Sequence, residues 1–421
     1  MPPSPTLPLA PPSGMDDHLP DETRARASVV ARVLDLFGRF GYERVITPAF
    51  EHADVLERGL EIDRRDLLRF VEPESGEVAL LRPDITPQIA RIIATRLRDR
   101  PAPWRLSYHG TVLRQRQRTG RARTARQRTQ LGVEHVGTAS READAEVIEL
   151  AIEACRIAGL DRFRIELGHV GVPRAALSGL PEPIRSAAAD ALARKDVAEL
   201  EGRLDVAGLD GEPRRVLLAL AELYGEPDVV HRARRVLTDA GSRAALDEIE
   251  AVHDTLGERG HGERLQVDLG DLRGHAYYTG VSFSVLAEGP GEPLGAGGRY
   301  DRLLGRFGMP APATGFALDL EHLIWALQHA STGWEPRPPP RVVAVDVRAP
   351  ILDTLRTGGV QVATLPEADA QEALAFARAW RYDAVLVAGG FERVSDGARL
   401  QSPLPADGEL IALTRWLRHE E

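Results

Sequence analysis

Residues Trp104–Val136 read WRLSYHGTVLRQRQRTGRARTARQRTQLGVEHV. Two short strand patterns flank a turn signal at Thr119-Gly120, so the stretch predicts an antiparallel hairpin. Arg114, Arg116 and Arg118 alternate along it, and Arg121, Arg123, Arg126 and Arg128 follow. On a hairpin, period two puts each set on one face and concentrates positive charge there. Such a surface suits phosphate, carboxylate or nucleic acid. A solvated charged hairpin accounts for the pattern equally well.

Outward from the hairpin, the chain alternates between helical and strand patterns. Upstream, Val29, Val30, Val33, Leu34, Phe37 and Phe40 recur at helical spacing and predict a helix over about Asp21–Phe40, ended by Gly41. A strand follows in ERVITPAF (43–50), where Pro48 confines it to an edge or interface. Another strand, GEVALLRPD (76–84), precedes a helix through TPQIARIIATRLRD (86–99). Downstream come a helix at READAEVIELAIEACRIAGL (141–160), a strand at FRIELGHV (163–170) and a helical insertion over about 173–262. Strand character returns in RLQVDLGDLRGHAYYTGVSFSVL (264–286), and GAGGRYD (295–301) leads to an amphipathic helix ending near Ala330. Prolines mark residues 331–340 as a linker. Over 341–421 strands and helices alternate, predicting a small α/β domain. Residues 1–13 hold six prolines and no charge, and predict an extended or disordered leader. The expected class is α+β: an antiparallel sheet core over 14–330 with a helical insertion, then the small C-terminal domain.

With 421 residues the chain exceeds one compact core, so two or three domains are expected. Hydrophobic content of 43% with 28% charged residues excludes general disorder. A net charge of −10 argues against coating nucleic acid through overall charge. No run approaches the roughly 18 apolar residues of a membrane span, and no basic-then-apolar signal opens the chain. A cytoplasmic protein without membrane contact is expected. The single cysteine, Cys155, excludes an internal disulfide and a Cys-rich zinc site. The histidines show no metal-ligand pairing, so neither metal nor cofactor is expected.

GAGGRYD invites a dinucleotide-binding reading, but its flanks are antiparallel-type strands and no spaced acidic partner follows. A tight turn with close backbone approach is the expected role of its glycines. Lys195 is the only lysine and sits in the helical run ADALARKDVAELEGRL, which leaves Schiff-base and Walker-type chemistry without a suitable residue.

RFGYERVITPAFE (39–51), LRPDITPQIAR (81–91), the hairpin ending in QLGVE (130–134), LRGHAYYTGVSF (272–283), AGGRYDRLL (296–304) and TGFALDLEHL (314–323) together resemble histidyl-tRNA synthetase, in its motif order. The resemblance covers about residues 14–330 and implies a class II aminoacyl-tRNA synthetase-like core. The C-terminal domain is similar to a shortened anticodon-binding domain, through DTLRTGGVQVAT (353–364). By the same resemblance Gln130 and Glu134 grip histidine, and Asp84 stands where a glutamate holds the α-ammonium, followed by Thr86. Tyr277 and Tyr278 match the paired tyrosines near the imidazole, while Arg114 and Arg273 match the arginines of the second motif and of Arg-Gly-Leu-Asp-Tyr-Tyr. Imidazole and ammonium favour acidic acceptors, and a carboxylate favours arginine.

The ATP positions depart from the family. His322 stands where an arginine clamps the phosphates, and near pH 7 it offers one donor in place of a charged fork. Losing such a donor costs about 3 kcal/mol of transition-state stabilisation. Arg116 replaces a glutamate beside the adenine, and His275 and Ala276 replace a Leu-Asp pair. A kept amino-acid pocket beside a degenerate ATP site resembles the regulatory subunits of ATP phosphoribosyltransferase, synthetase paralogues without aminoacylation activity. That resemblance implies a non-catalytic chain, a short-form catalytic subunit as partner, histidine as effector, and self-association through the first motif. The domain over 341–421 departs from that family's usual description. An active histidyl-tRNA synthetase with divergent motifs is the alternative, and an RNA-binding module built on the hairpin is a third reading.

Overall fold

The structure is a computed structural model and describes residues 10–59, 66–114, 126–272, 277–330, 339–387, 390–401 and 407–417. Arg116, Arg273, His275, Ala276, the turn at Thr119-Gly120, and most of the expected leader and linker lie outside the described residues. The chain forms two compact units, Met1–Glu335 and Pro336–Glu421.

In the first unit, α1 (Pro20–Arg39) begins with a proline and two acidic residues, which suit the free N–H groups and positive end of a helix. It buries Val29, Val33, Leu36 and Phe37. β1 (Glu43–Val45) ends before Pro48 and pairs in parallel with β5 (Trp104–Leu113) at the sheet edge. β2 (Phe50–His52), α2 (Ala53–Gly59), β3 (Arg69–Val71) and β4 (Val78–Leu81) follow, the strands forming a small antiparallel sheet with β4 in the middle. α3 (Thr86–Arg96) comes next. The expected hairpin is present: β5 pairs antiparallel with β6 (Gln127–Val136), from Trp104 opposite Val136 to Leu113 opposite Gln127.

α4 (Arg141–Ala158) is capped by Ser140, whose hydroxyl accepts the Ala143 N–H, and stops at left-handed Gly159. It is buried along most of its length against α1 and the sheet. After β7 (Arg164–His169) the insertion supplies α5 (Gly171–Leu177), α6 (Ile184–Ala193), α7 (Val197–Val206), α8 (Gly211–Glu222), α9 (Val229–Ala233) and α10 (Ala240–Glu258). One departure from an all-helical insertion is the two-residue β8 (Tyr224–Gly225), which pairs with β9 (Leu265–Asp268).

β10 (Val281–Leu286), β11 (Gly295–Arg299), β12 (Ala313–Asp319) and α11 (Leu320–His329) complete the unit. Among the described residues the large sheet has the order β1-β5-β6-β12-β11-β10-β7-β9-β8. Its pairs are antiparallel except β1–β5 and β7–β9. The glycines of GAGGRYD are not a turn. They form β11, a central strand, where a Cβ on Gly297 would sit 2.5 Å from the Phe283 ring and 2.6 Å from the Gly315 carbonyl oxygen.

In the second unit β13 (Arg341–Ala344), α12 (Ala349–Thr357), β14 (Gln361–Thr364), α13 (Ala370–Ala379) and β15 (Ala384–Val387) alternate as expected, with β13 parallel to both neighbours. β16 (Gly390–Arg393) and β17 (Arg399–Leu400) add an antiparallel hairpin, and α14 (Asp407–Leu417) follows. That hairpin turns at Gly397, whose φ is +71°, while the Asp396 carboxylate accepts the Ala398 N–H at 3.0 Å. No helix among the described residues is long and apolar enough to cross a membrane.

Candidate functional site

Adjacent strands bring the pocket residues together. Glu134 lies on β6, opposite Leu106 of β5 and Gly315 of β12. Its carboxylate occupies the space over Gly315, where a Cβ would come within 1.9 Å of Oε2, so only glycine fits there. The neighbouring Gly132 makes room for Tyr108 in the same way, since a Cβ would meet the Tyr108 hydroxyl at 2.5 Å. The Tyr108 hydroxyl donates to Glu134 Oε1 at 3.1 Å, and Thr86, at the start of α3, donates to the same oxygen at 2.7 Å. Tyr300, which follows β11, donates to Oε2. All of these donors are neutral hydroxyls.

Burial pushes the Glu134 carboxyl up to about 8, against the pull of the Thr86 and Tyr300 hydrogen bonds. Burial also raises Tyr108, Tyr277, Tyr278 and Tyr300 well above the ordinary phenol value, which keeps them neutral donors. The second carboxylate, Asp84, is 1% exposed and accepts the Tyr277 hydroxyl at 3.2 Å. Tyr277 also packs edge-on against Tyr278 and Tyr300, with ring centroids 5.3 and 5.5 Å away. Asp84, Thr86, Glu134, Tyr277, Tyr278 and Tyr300 surround a cavity of about 10 Å³. That is room for roughly one water molecule.

Gln130 and Arg114 flank this cavity rather than line it. The Gln130 side-chain oxygen accepts the Ile85 N–H at 3.2 Å, and Arg114 Nε donates to the Pro83 carbonyl at 2.9 Å. Both therefore brace the Pro83–Ile85 turn that carries Asp84. Of the sequence-predicted pocket residues, Asp84, Thr86, Glu134, Tyr277 and Tyr278 converge. Tyr108, Tyr300 and Gly315 belong to the same candidate site and were missed by sequence reasoning. Tyr300 lies inside the quoted AGGRYDRLL, and the signal for Tyr108 is a large residue in register with a glycine on the facing arm.

The remaining residues of AGGRYDRLL build the support. Arg299 holds Asp144 through Nε at 3.0 Å and Nη2 at 2.9 Å, and Asp301 through Nη1 at 3.1 Å. Asp301 in turn accepts the Ala313 N–H at 3.0 Å, tying β11 to β12.

The corner at the end of β12 handles charge differently. His322 is in the first turn of α11, where its backbone N–H donates to the capping Asp319 at 3.0 Å. Its Nδ1 donates to the Pro293 carbonyl at 2.9 Å, which turns the ring inward. Arg128 bridges Asp319 and Glu292, each at 3.2 Å. Arg26 pairs with Glu321, whose other oxygen accepts the Thr129 N–H at 2.7 Å. Burial pushes Asp319 up, opposed by His322 and Arg128. Glu321 is held below its usual range despite burial, by the Thr129 N–H and Arg26. The arginines here are committed to carboxylates of the same chain.

Comparison with known proteins matches this geometry to a family. A family model described as histidyl-tRNA synthetase matches residues 14–323. The ATP phosphoribosyltransferase regulatory subunit of Geobacter sulfurreducens is 40% identical over 321 residues, covering 75% of this chain and 73% of that one. The protein of the same name from Anaeromyxobacter dehalogenans (strain 2CP-C) is 43% identical over 329 residues, or 77% and 93% of the two chains. Among solved structures, an ATP phosphoribosyltransferase regulatory subunit/histidyl-tRNA synthetase from Bacillus halodurans is similar at a TM-score of 0.78 and 28% identity, over 91% of this chain and 99% of its own. Histidyl-tRNA synthetase from Nostoc sp. PCC 7120 shares the fold at a TM-score of 0.79 and 21% identity, over 97% and 100%.

Proposed function

The chain belongs to the histidyl-tRNA synthetase family, among relatives that are ATP phosphoribosyltransferase regulatory subunits, and from that premise we propose that it regulates this enzyme without catalysing a reaction itself. It works in a complex with a short catalytic subunit, at the first step of histidine biosynthesis, and makes that step respond to histidine. The observation that carries this reading is the commitment of Arg128, Arg26 and His322 to partners within the chain, beside a pocket whose Glu134, among the described residues, is bonded to hydroxyls.

Histidine enters the Asp84–Glu134 pocket. Its imidazole takes the place of a hydroxyl at Glu134 beside Thr86, its ammonium faces Asp84, and Arg273 and Arg114 serve its carboxylate, with Gln130 at the flank. A cationic ligand stabilises the ionised form of Glu134 and so draws the carboxyl down from about 8. Feedback requires that histidine bind the less active assembly more tightly than the active one. His322 and Arg116 mark the degenerate ATP site.

We also infer that the chain self-associates through the surface that begins at β1. Ile46 is 81% and Phe50 45% exposed there, and Phe50 stacks edge-on against Phe70 at 5.3 Å.

The test mixes the purified chain with a short-form catalytic subunit and follows phosphoribosyl-ATP formation. The expected outcome is no product from this chain alone, product from the mixture, and inhibition by histidine. Product from the chain alone sinks the reading. Histidine-dependent exchange of pyrophosphate into ATP replaces it with the alternative, an active synthetase.

A further inference from the structure

Lys195 is the only lysine among the chain's 53 basic Lys and Arg residues. It occupies the turn between α6 and α7 with a φ of +58°, a left-handed conformation that favours glycine. Its side chain crosses from the insertion to the large sheet. There Nζ donates to Asp268 Oδ1 at 2.5 Å, at the end of β9, where Asp268 is 2% exposed. The same oxygen accepts the Gly270 N–H at 2.8 Å. Nζ also lies 5.5 Å from the centre of the Tyr224 ring on β8.

The space is tight: a Cβ on Gly270 would fall 2.6 Å from the Leu220 carbonyl oxygen and 3.0 Å from Nζ. Arginine at 195 would bring a broader, planar group to the place of the compact ammonium. Asp268 and Asp271 line a small polar cavity together with Glu166, Ser282 and Tyr278. Tyr278 also lines the Asp84–Glu134 cavity. Tyr278 is thus common to the cavity beside the carboxylate that Lys195 holds and to the cavity of the pocket carboxylates.

We propose that Lys195 is a positioning residue for the imidazole pocket, tying the helical insertion to Asp268 and thereby holding the Tyr278 wall. This rests on the reading that the pocket takes histidine. With Nζ gone, the buried Asp268 carboxylate loses its cation, the end of β9 relaxes, and the Tyr278 ring loses its backing.

The test uses the full chain and the variants Lys195→Met and Lys195→Arg. The control is Asp239→Ala, which removes the cap that accepts the Ser242 N–H at 2.9 Å on α10 of the same insertion. Amide exchange is measured first, without ligand. Lys195→Met speeds exchange both around residues 192–200 and over 277–285, whereas Asp239→Ala speeds it only within α10. Titration calorimetry then gives histidine affinity about tenfold weaker for both Lys195 variants, the scale of one buried charged hydrogen bond, and unchanged for the control. Exchange over 277–285 that matches the parent overturns the proposal, as does altered exchange with parental affinity. If the parent itself binds no histidine, the pocket reading falls, and the exchange result alone decides the role of Lys195. Should Lys195→Met not fold, Lys195→Arg, which keeps the charge, carries the same readouts.

Discussion

The Asp84–Glu134 pocket and the Asp319–His322 corner are built on the same two strands, β6 and β12, and they treat charge in opposite ways. In the pocket, buried carboxylates face tyrosine and threonine hydroxyls, and Glu134 rises to about 8 because those hydroxyls do not offset its burial. At the corner, carboxylates and arginines neutralise one another, with Arg128 between Asp319 and Glu292 and Arg26 on Glu321. A buried carboxyl held by neutral donors gains more from a cationic ligand than one already paired with an arginine. Among the described residues, Glu134 meets neutral donors only, whereas Arg128 and Arg26 at the corner are paired with carboxylates.

The contrast breaks most sharply at Gly315. Gly315→Ala drives a methyl group into the space of the Glu134 carboxylate, and histidine binding measured by calorimetry should disappear. The cost in stability should be about 1–3 kcal/mol. Glu134→Gln keeps the shape and removes the charge, so affinity should fall by about one to two orders of magnitude. Affinity retained in both variants sends histidine elsewhere.

The next effect is on pH dependence. Glu134 has a folded value of about 8 against an ordinary 4.5, so its contribution is complete below 4.5 and is lost as pH rises toward 8. Denaturant unfolding of the unliganded chain should show stability falling across that window, by at most about 1.4 kcal/mol per pH unit. Glu134→Gln should flatten the slope. A stability that rises over the same range contradicts the assignment.

Smaller effects are expected at the corner. Arg26→Ala removes the cation from Glu321, which keeps the Thr129 donors, and should cost about 1–3 kcal/mol of stability. Histidine affinity should stay near the parent value, because the two networks share no hydrogen bond. Smallest of all is His322→Arg, which should restore no pyrophosphate exchange. The new guanidinium meets Glu292 and Asp319 in a network already balanced by Arg128. Exchange appearing in this variant would show that a single lost donor, rather than the network, disables the site.

Much of this was legible in the residues. The hairpin, the first helix, the helical insertion and the alternating C-terminal elements follow from periodicity and turn residues, which act locally. The Asp84, Thr86, Glu134, Tyr277 and Tyr278 set followed from motif resemblance. GAGGRYD misled because glycine marks a turn and a crowded strand alike, and only the neighbours on β10 and β12 distinguish them. Tyr108 and Tyr300 were hidden because a tyrosine carries no sign of which carboxylate its hydroxyl meets. The β16–β17 hairpin was missed because its strands are too short to show a period.

Sequence alone determined the order of elements, the family resemblance and the histidine at position 322, since these depend on residue identity and local spacing. Tertiary structure decided that the histidine ring turns to the Pro293 carbonyl, that Arg128 is held by Asp319 and Glu292, and that Glu134 is enclosed by hydroxyls. The reason is physical. The protonation and ligand preference of a charged group depend on what lies within a few ångströms, and residues 26, 128, 292 and 321 become neighbours only when the sheet forms.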